Sequence, residues 1–470
     1  MKQVYNPFTD DIICYFRKSL ISRISLLFLF IVYSIATFAP FLANDKPLIL
    51  YTENRVVYQD LYWGWTDSIE ILINRRESSP ENNRRNALLN IRESIKWINI
   101  DKETSETIKR FINIIDEGIN NKAEIEKTYR EISSILDTKN VRYRKRLISP
   151  VLRSLNKTEV FFVLFYFFVC FWIIFFLKRL PLPKIFSLSI FLIVIILALA
   201  HPVPKFNPEN YKTQYEELSE SEWMIFPPVS FGYNENILKE QAEAPSRVHL
   251  LGTDTNGRDV LCRMIWGSRV SMTVGIVSVG IYSFIGIIVG LLAGFYKGKI
   301  DLILSRLIEI MICFPSFFLI LTVMAYLNPS ILNIMVVIGV TGWPGIARLM
   351  RAEALRISAM DYINAARAIG VKPFRILSHA VFINGMAPVL VSATFGMADA
   401  ILIEAALSFL GIGVPQPTAS WGDLLNNARN NIQGLWWLTV FPGLVLFLTV
   451  TAYNTVGETL RDSLDPRLKS

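Results

Sequence analysis

Apolar residues form long blocks along this chain, instead of alternating with polar residues as they do in a half-buried helix or strand. A helix needs about 20 consecutive apolar residues to cross the hydrocarbon core of a bilayer. Blocks that approach or reach this length lie near 24–43, 160–177, 185–202, 272–296, 306–327, 331–348, 386–412 and 435–456. The pattern predicts an all-α integral membrane protein with about eight transmembrane helices.

The composition agrees with a membrane protein and gives little sign of other chemistry. Hydrophobic residues make up 52% of the 470 residues, and charged residues only 19%. The net charge of +8 is interpreted through the positive-inside rule and not as a nucleic-acid footprint. Cys14, Cys170, Cys262 and Cys313 lie far apart without metal-binding spacing. We therefore expect no disulfide framework, no metal site and no cofactor.

Lysine and arginine in the short connections indicate the orientation. The link 178–184 contains three basic residues and no acid, and the segment 348–375 contains six basic residues and two acids. We therefore expect this side and both termini to be cytoplasmic, in a protein of the cell inner membrane. The long segment 44–158 then lies outside, although it ends in the basic stretch 142–146, because long loops cross largely regardless of charge. The first apolar block lacks a clear cleavage site and is interpreted as an anchor.

The predicted spans and their connections divide the chain into segments. These are an N-terminal tail with the first span (1–43), an extracytoplasmic helical insertion (44–158), an extra transmembrane hairpin (159–203), an extracytoplasmic segment with an interfacial helix (204–271), a membrane core with a long cytoplasmic loop at 349–385 (272–460), and a cytoplasmic tail (461–470). Within the insertion, apolar residues repeat at helical spacing over 108–115 and 125–136, which predicts a helical hairpin. This hairpin either packs on the membrane part or a partner, or is a surface insertion that packs on itself.

The stretch LGTDTNGRDVLCRMIWGSRVS, residues 251–271, combines glycines with acidic and basic residues. Gly257 is followed by Arg258 where a phosphate-binding loop requires lysine, so nucleotide binding is rejected. The acidic residues also lack the spacing of a calcium-binding loop. We expect instead a turn and an amphipathic helix at the outer membrane interface, with Arg258, Arg263 and Arg269 facing lipid headgroups or partner carboxylates.

A basic segment, INAARAIGVKPFRILSHAVF at 363–382, separates the sixth and seventh predicted spans. Ser358 or Asp361 can cap a helix that ends or bends at Gly370, and Pro373 suits the first turn of a second helix. The segment therefore predicts two short helices at an angle, whose small residues let another protein approach closely. An ordinary connecting loop is the alternative, although a connection needs far fewer residues.

The pattern N-A-A-x-x-x-G at 364–370 resembles the E-A-A-x-x-x-G coupling motif of ABC-importer permeases. These permeases are membrane subunits that dock on a separate ATPase. Asn364 stands where the family usually has glutamate, so the acidic contact with the ATPase differs in this chain. A leucine-proline pair that often follows in the family is replaced here by Phe382 and Ile383.

Other segments resemble the oligopeptide/dipeptide type of these permeases, which are inner membrane components of binding-protein-dependent transport systems. The segments are the glycine-rich stretch 251–271, EAALSFLGIGVPQPTASWG at 404–422, and the tripeptide DPR at 465–467. The likeness is close over about 225–470. Residues 51–224 depart from the usual six-span layout.

The resemblance implies a type I ABC-importer permease core in the C-terminal half of the chain. It also implies a function, in which a second homologous permease completes the translocation path for oligopeptides or dipeptides delivered by an extracytoplasmic solute-binding protein. ATP would be hydrolysed by ATPase subunits docked on 363–375, so the chain itself would be non-catalytic. The implied ATPase-coupling residues are Asn364, Ala365, Ala366, Gly370, Lys372 and Arg375. A permease for a non-peptide solute such as nickel is the alternative within the family.

Charged residues inside membrane spans are costly and therefore mark functional candidates. Glu309, Asp399 and Glu404 are such residues. Asp399 and Glu404 are five residues apart and point roughly 140° apart on a helix. We expect Glu404 to face a subunit interface or the translocation path, and Asp399 to pair with a cation of a neighbouring helix. A structural hydrogen bond between helices is an equal alternative for each, and the glycines at 286, 290 and 294 predict close helix packing.

Two other classes of protein are alternatives to the importer. An ion-coupled secondary transporter would need mid-membrane ionisable residues and often inverted repeats, and the sequence shows no repeat. A membrane-bound enzyme would need clustered histidines, cysteines or paired carboxylates. His201, His249 and His379 are scattered, so we expect no catalytic residue.

Overall fold

A computed structural model describes residues 15–53, 145–177, 184–200, 215, 223–429 and 434–464. The described chain is mostly helical. Its regular elements are α1 (Leu20–Leu42), β1 (Ile49–Glu53), β2 (Lys145–Ile148), α2 (Pro150–Ser154), α3 (Lys157–Leu177), α4 (Lys184–Ala200), β3 (Trp223–Ile225), α5 (Val260–Tyr296), α6 (Gly298–Cys313), α7 (Ser316–Tyr326), α8 (Ile331–Ser358), α9 (Asp361–Ala368), α10 (Pro373–Arg375), α11 (Phe382–Phe409), α12 (Trp421–Ala428) and α13 (Trp436–Leu464). A short 3-10 helix covers Leu238–Glu240, and a π-helical turn covers Ile376–Val381 between α10 and α11.

Helices stand at every position where an apolar block predicted a span. Within the described residues, five helices are long and apolar enough to cross a membrane, and the bent pair α6–α7 makes a sixth candidate. The five are Leu20–Leu42, Val260–Tyr296, Ile331–Ser358, Pro373–Phe409 and Trp436–Leu464. Helices α3 and α4 are not among them, so the count of eight stays a prediction.

The helix α5 begins earlier than the sequence pattern predicted. Asp259 caps its first turn by accepting a hydrogen bond from the Cys262 backbone N–H, and the helix then runs for 37 residues. The expected interfacial helix is therefore not a separate element, because residues 260–271 are the first turns of α5. The prediction of a separate helix there is wrong.

Helices α5 and α8 run side by side with their backbones almost in contact. A Cβ atom at Gly286 would lie 2.8 Å from the Trp343 carbonyl oxygen, and one at Gly290 would lie 2.5 Å from that of Ala347. A Cβ atom at Gly294 would likewise lie too close to the Arg351 carbonyl oxygen. The glycine spacing of four residues thus forms the close seam that the sequence predicted.

Helices α6 and α7 form a broken span, with an angle of 81° between them. Pro315 stands at the break and cannot donate a backbone hydrogen bond to continue α6. The last turn of α6 and the first turn of α7 are largely exposed on this chain. Near the start of α6, Asp301 accepts two hydrogen bonds from Arg351 of α8, at 2.5 and 2.8 Å.

The first helix is fixed to both the C-terminal helix and α3 by polar contacts. The hydroxyl groups of Ser22 and Thr459 are 2.6 Å apart, and Tyr33 and Tyr453 also share a hydrogen bond. On another side, the hydroxyl groups of Ser34 and Tyr166 are 2.6 Å apart. These contacts place the N-terminal end of α1 beside the C-terminal end of α13.

The residues fall into two compact units, of which the larger comprises Met1–Lys46, Arg153–Pro204 and Phe226–Ser470. The smaller unit, Pro47–Leu152 with Lys205–Ile225, contains a three-stranded antiparallel sheet in the order β2-β1-β3. In its register Leu50 pairs with Ile148 and with Met224. The helical pattern did not predict this sheet, and the predicted hairpin over 108–136 lies outside the described residues, as does the tripeptide at 465–467.

Candidate functional site

The segment between α8 and α11, residues 359–381, is called the elbow here. Helix α8 continues to Ser358, so the true connection is shorter than the predicted loop. Helix α9 covers Asp361–Ala368, and Pro373 is the first residue of α10, as the sequence indicated. Met360 precedes α9 without a side-chain cap, so neither Ser358 nor Asp361 caps it.

The second predicted helix of the elbow is not a short separate one. From Pro373 the chain passes through the π-helical turn directly into α11, and Pro373–Phe409 forms one continuous helical span. Helix α10 is therefore the first turn of the same helical span as α11. The elbow is thus a single short helix, α9, that leads into the end of a long one.

Gly370 makes the turn between α9 and α10 possible. Its φ is +83°, a region that residues with a Cβ rarely adopt. Its N–H donates to the Arg367 carbonyl, and the Val371 N–H donates to the Ala366 carbonyl, both at 3.0 Å. These two bonds form a Schellman motif, which satisfies carbonyl groups at the end of α9.

Apolar anchors fix the elbow to the membrane helices. Ile363, Ile376 and Val381 are buried and belong to the main hydrophobic core. The Arg367 guanidinium lies 5.3 Å from the centre of the Phe295 ring at the end of α5. This is a cation–π contact, and it joins α9 to a second membrane helix. The elbow is therefore a defined structure and not a loose loop.

Three large apolar side chains of the elbow remain uncovered. Ile369 is 81% exposed and Phe374 is 74% exposed, and Tyr362 is also exposed. Of the predicted coupling residues, Ala366 is half-buried and the others are exposed: Asn364, Ala365, Gly370, Lys372 and Arg375. Sequence reasoning missed Ile369 and Phe374, although two apolar residues flanking the Gly-Val-Lys-Pro turn in a basic segment were a visible signal.

The two carboxylates of α11 lie on different faces of the helix, as their spacing predicted. Glu404 is fully buried and accepts hydrogen bonds from Ser408 at 2.8 Å and from Ser271 of α5 at 3.1 Å. It therefore lies at an interface between helices of this chain. Asp399 is exposed between the buried residues Ala398 and Ala400.

The surroundings of Asp399 differ from those expected. No ion pair or hydrogen bond of its carboxylate is present within the described part of the chain, so the predicted cation of a neighbouring helix is not found there. Tyr282 of α5 is close enough to interact with it electrostatically. The Tyr282 hydroxyl packs directly on Gly396, three residues before Asp399 and thus on the same side of α11.

Near the start of α5 and away from the elbow, four buried charged residues form what we call the end cluster: Asp254, Arg258, Arg263 and Asp423. Arg258 donates to Asp254 at 2.7 Å, and Arg263 donates to Asp423 at 2.6 Å. Arg258 and Arg263 are buried, so the expectation that they face lipid headgroups is wrong. The carboxylates that they contact belong to this same chain.

The end cluster joins two of the segments on which the family resemblance was based. Arg258 donates to the Gln416 side chain at 3.3 Å, and the indole N–H of Trp421 donates to the Met264 carbonyl at 3.1 Å. The stretches 251–271 and 404–422 therefore contact each other directly. The third arginine, Arg269, pairs with Glu159 of α3 at 3.3 Å.

His249 lies between two carboxylates next to the end cluster. Its Nδ1 is 2.8 Å from Asp259, and its Nε2 is 2.8 Å from Glu240. Burial lowers the pKa of His249, but the hydrogen bonds and charges of Asp259 and Glu240 outweigh this effect, so its pKa is raised above the ordinary value. Asp259 also caps α5, so the histidine supports the start of that helix.

Metal chemistry has no visible basis in the described ranges. Among those residues no group of three or more histidine, cysteine, aspartate or glutamate side chains could hold a metal ion. The acidic residues of the end cluster are instead matched with arginines. This arrangement favours a structural role for the cluster.

Comparison with known proteins gives the family. Residues 286–470 match the model of the binding-protein-dependent transport system inner membrane component. A dipeptide transport system permease protein of Alkalihalophilus pseudofirmus is 39% identical over 52% of this chain and 82% of its own length. A di/tripeptide transport system permease protein of Pseudomonas aeruginosa is 42% identical over 47% of this chain and 73% of its own length.

A chain of the inward-facing MetNI methionine ABC transporter is similar over 43% of this chain and 97% of its own length, with 17% identity and a TM-score of 0.36. The resemblance first noted at 364–370 and at 404–422 is confirmed by the family match and by the two permease relatives. The core is that of a type I ABC-importer permease, and the chain belongs to the family of binding-protein-dependent transport system inner membrane components.

Proposed function

We propose that this chain is a non-catalytic permease subunit of an ATP-driven importer that takes up oligopeptides or dipeptides. ATPase subunits dock on the elbow, a second homologous permease completes the translocation path, and a solute-binding protein delivers the peptide from outside. The peptide substrate is supported by the names of the relatives, which are dipeptide and di/tripeptide permeases. The observation that carries the ATPase partner is the uncovered apolar surface of the elbow.

The exposed side chains of the elbow are suited to docking in a groove of another protein. Full burial of a phenylalanine or isoleucine side chain stabilises a complex by about 1.5–3 kcal/mol. Ile369 and Phe374 stand on either side of the Gly370 turn and offer this gain together. Lys372 and Arg375 lie between and beside them, and they favour a partner with acidic groups around the groove.

The elbow can pass a nucleotide-driven movement into the membrane. Ile363 fixes α9 to the core, while Arg367 contacts α5 and α10 continues into α11. A displacement of the docked elbow therefore acts on two membrane helices at once. In energetic terms, the different affinities of the ATPase for two elbow positions bias a two-state bundle of helices.

The arrangement of helix ends supports a cytoplasmic elbow with both termini on the same side. The contact between Ser22 and Thr459 places the start of α1 beside the end of α13. Trp437 at the start of α13 donates to the Thr253 carbonyl beside the end cluster. Gly457 near the other end packs on Thr394 and Phe395, so α13 ends on the elbow side of α11. The basic residues of the elbow agree with the positive-inside rule.

The test is co-purification of the co-expressed ATPase with the permease complex. Phe374→Asp introduces a charge into the proposed contact, and we expect at least a tenfold loss of bound ATPase, about 1.4 kcal/mol or more. Phe374→Leu keeps an apolar side chain and should retain most of the binding. ATP-driven dipeptide uptake in vesicles should fall in parallel with the bound ATPase.

Leu238→Asp is the matched control, because Leu238 is 73% exposed and lies outside the elbow. This variant should bind the ATPase normally. Full ATPase binding by Phe374→Asp, or an equal loss in the Leu238 variant, would contradict the proposed docking surface.

A further inference from the structure

Asp399 is an exposed carboxylate deep within a membrane-spanning part of the chain. It lies one turn from Gly396, which packs on Tyr282, and the Tyr282 ring also packs against Gly342 of α8. Gly342 is eleven residues beyond Ile331, the first residue of α8, which corresponds to about 17 Å along the helix axis. Since half of a hydrocarbon core is about 15 Å, Asp399 stands near the middle of the apolar layer.

A carboxylate at this depth does not face lipid at low cost. Charged side chains inside membranes face a protein partner or a water-filled cavity, and they pair with another charge. Glu404, on the buried face of the same helix, meets this requirement with two serine hydroxyl groups. Asp399 has no such partner among the described residues, and its exposed carboxylate can accept one from another molecule.

The surroundings of Asp399 suit a small cationic group. The Tyr282 hydroxyl packs on Gly396, one turn before Asp399, so an ammonium group bound at the carboxylate can also approach this hydroxyl oxygen. Gly342 is exposed beside Tyr282, and Gly345 has open space where a side chain would point. The surface between α8 and α11 is therefore open at this level, and another molecule can approach the carboxylate.

Asp399 also stands on the helix that the elbow would move. Helix α11 begins at the elbow without interruption, so an axial or tilting displacement changes the position of Asp399 relative to α5 and α8. A side chain on the solute path should become accessible from a different side of the membrane when the transporter changes state. Glu404, held to Ser271 of α5, is poorly placed for such a change.

We infer that Asp399 faces the solute path and that its carboxylate, with the Tyr282 hydroxyl, binds a positively charged group of the passing solute. For a peptide this group is the α-ammonium group. The inference rests on the proposed function and deepens it, because it names a residue that selects among peptides inside the membrane. A cation supplied by the second permease is the competing partner.

The experiment compares a dipeptide with its N-acetylated form in vesicles that contain the complete transporter. Asp399→Asn keeps the size of the side chain and removes its charge. We expect kcat/KM for the free-amine dipeptide to fall about tenfold, the effect of losing one hydrogen bond between charged groups. Uptake of the N-acetylated dipeptide should be unchanged, and Asp399→Glu should restore most of the preference for the free amine.

Asp462→Asn is the matched control, since Asp462 is a partly exposed carboxylate of α13 that already pairs with Arg461. It should not alter the ratio between the two dipeptides. An equal loss for both dipeptides in Asp399→Asn, no loss at all, or release of the second permease from the complex would overturn the inference.

A labelling measurement separates this inference from the proposed function. Asp399→Cys, in a chain with Cys14→Ser and Cys313→Ser, should react with a water-soluble thiol reagent, while Phe447→Cys on the exposed apolar surface of α13 should not. Absence of reaction at residue 399 would overturn the inference whatever peptides are transported. Reaction at 399 without ATP-driven uptake of any peptide by the unmodified transporter would instead refute the proposed function.

Discussion

The end cluster and the elbow lie at opposite ends of α11 and differ in how their side chains are partnered. In the end cluster, buried carboxylates meet arginines of the same chain, and Arg263 contacts Asp423 from 160 residues away in the sequence. In the elbow, Ile369 and Phe374 are left uncovered although the backbone around them is well fixed. One end is therefore completed by the chain itself, and the other end presents the apolar surface on which we propose that the ATPase docks.

The comparison also concerns the cost of a substitution. A buried ion pair that loses one member leaves an uncompensated charge, which costs about 3–5 kcal/mol. An exposed apolar residue that loses its side chain costs little in the isolated chain. Stability measurements should therefore respond to the end cluster, and transport measurements should respond to the elbow.

The largest expected effect on stability comes from Arg263→Ala. It leaves Asp423 buried without its cation and weakens the link between the start of α5 and α12. We expect the free energy of unfolding to fall by about 3–5 kcal/mol, measured by denaturant unfolding of the complex in detergent. Arg461→Ala removes an exposed ion pair with Asp462 and should leave the stability almost unchanged. If the two variants had similar stability, the expected difference between buried and exposed ion pairs would be wrong.

The next effect concerns the backbone of the elbow. Gly370→Pro cannot adopt a φ of +83° and removes the N–H that donates to the Arg367 carbonyl. We expect ATP-driven uptake to fall at least tenfold, about 1.4 kcal/mol or more in coupling, while the protein still inserts in the membrane.

Gly411 offers a close control for this prediction. It lies just beyond the other end of α11, with a φ of +81° and the same pair of turn hydrogen bonds, to Ser408 and from Ile412 to Leu407. Gly411→Pro introduces the same backbone strain at the end of α11 opposite the proposed docking surface. If both variants reduce ATPase binding equally, the elbow has no special part in coupling.

The smallest expected effect is a pH dependence of stability that comes from His249, next to the end cluster. The pKa of His249 is raised in the folded protein, because Asp259 and Glu240 favour its charged form more than burial disfavours it. Its contribution to stability is therefore complete below the ordinary histidine pKa of about 6.5 and is lost as the pH rises through the higher folded value.

We expect the unfolding midpoint to fall between pH 6 and pH 9 by more in the unmodified protein than in His249→Gln. Thermal unfolding followed by fluorescence over this range measures the difference. His379→Gln is the control, since His379 is exposed on the elbow and its ring shares a hydrogen bond with Ser378. A pH dependence that survives in His249→Gln would show that another group is responsible.

The sequence predicted the helical class, the place of each apolar helix and the turn at Gly370, because these follow from local composition and backbone sterics. It also predicted that Asp399 and Glu404 occupy different faces, since five residues correspond to a fixed rotation. The sequence did not predict the contact of Arg263 with Asp423, because a pairing across 160 residues depends on how α5 and α12 pack. The strand pairing of Leu50 with Ile148 was missed for the same reason.

The glycine seam between α5 and α8 limits how the permease can move. Gly290 has no side chain, so the backbone of α5 lies directly against that of α8, and an added Cβ would be only 2.5 Å from the Ala347 carbonyl oxygen. We expect this close contact to keep the two helices together when the transporter changes state. We then expect the movement to take place at α11 and at the broken α6–α7 pair, both of which lie outside the glycine-lined pair.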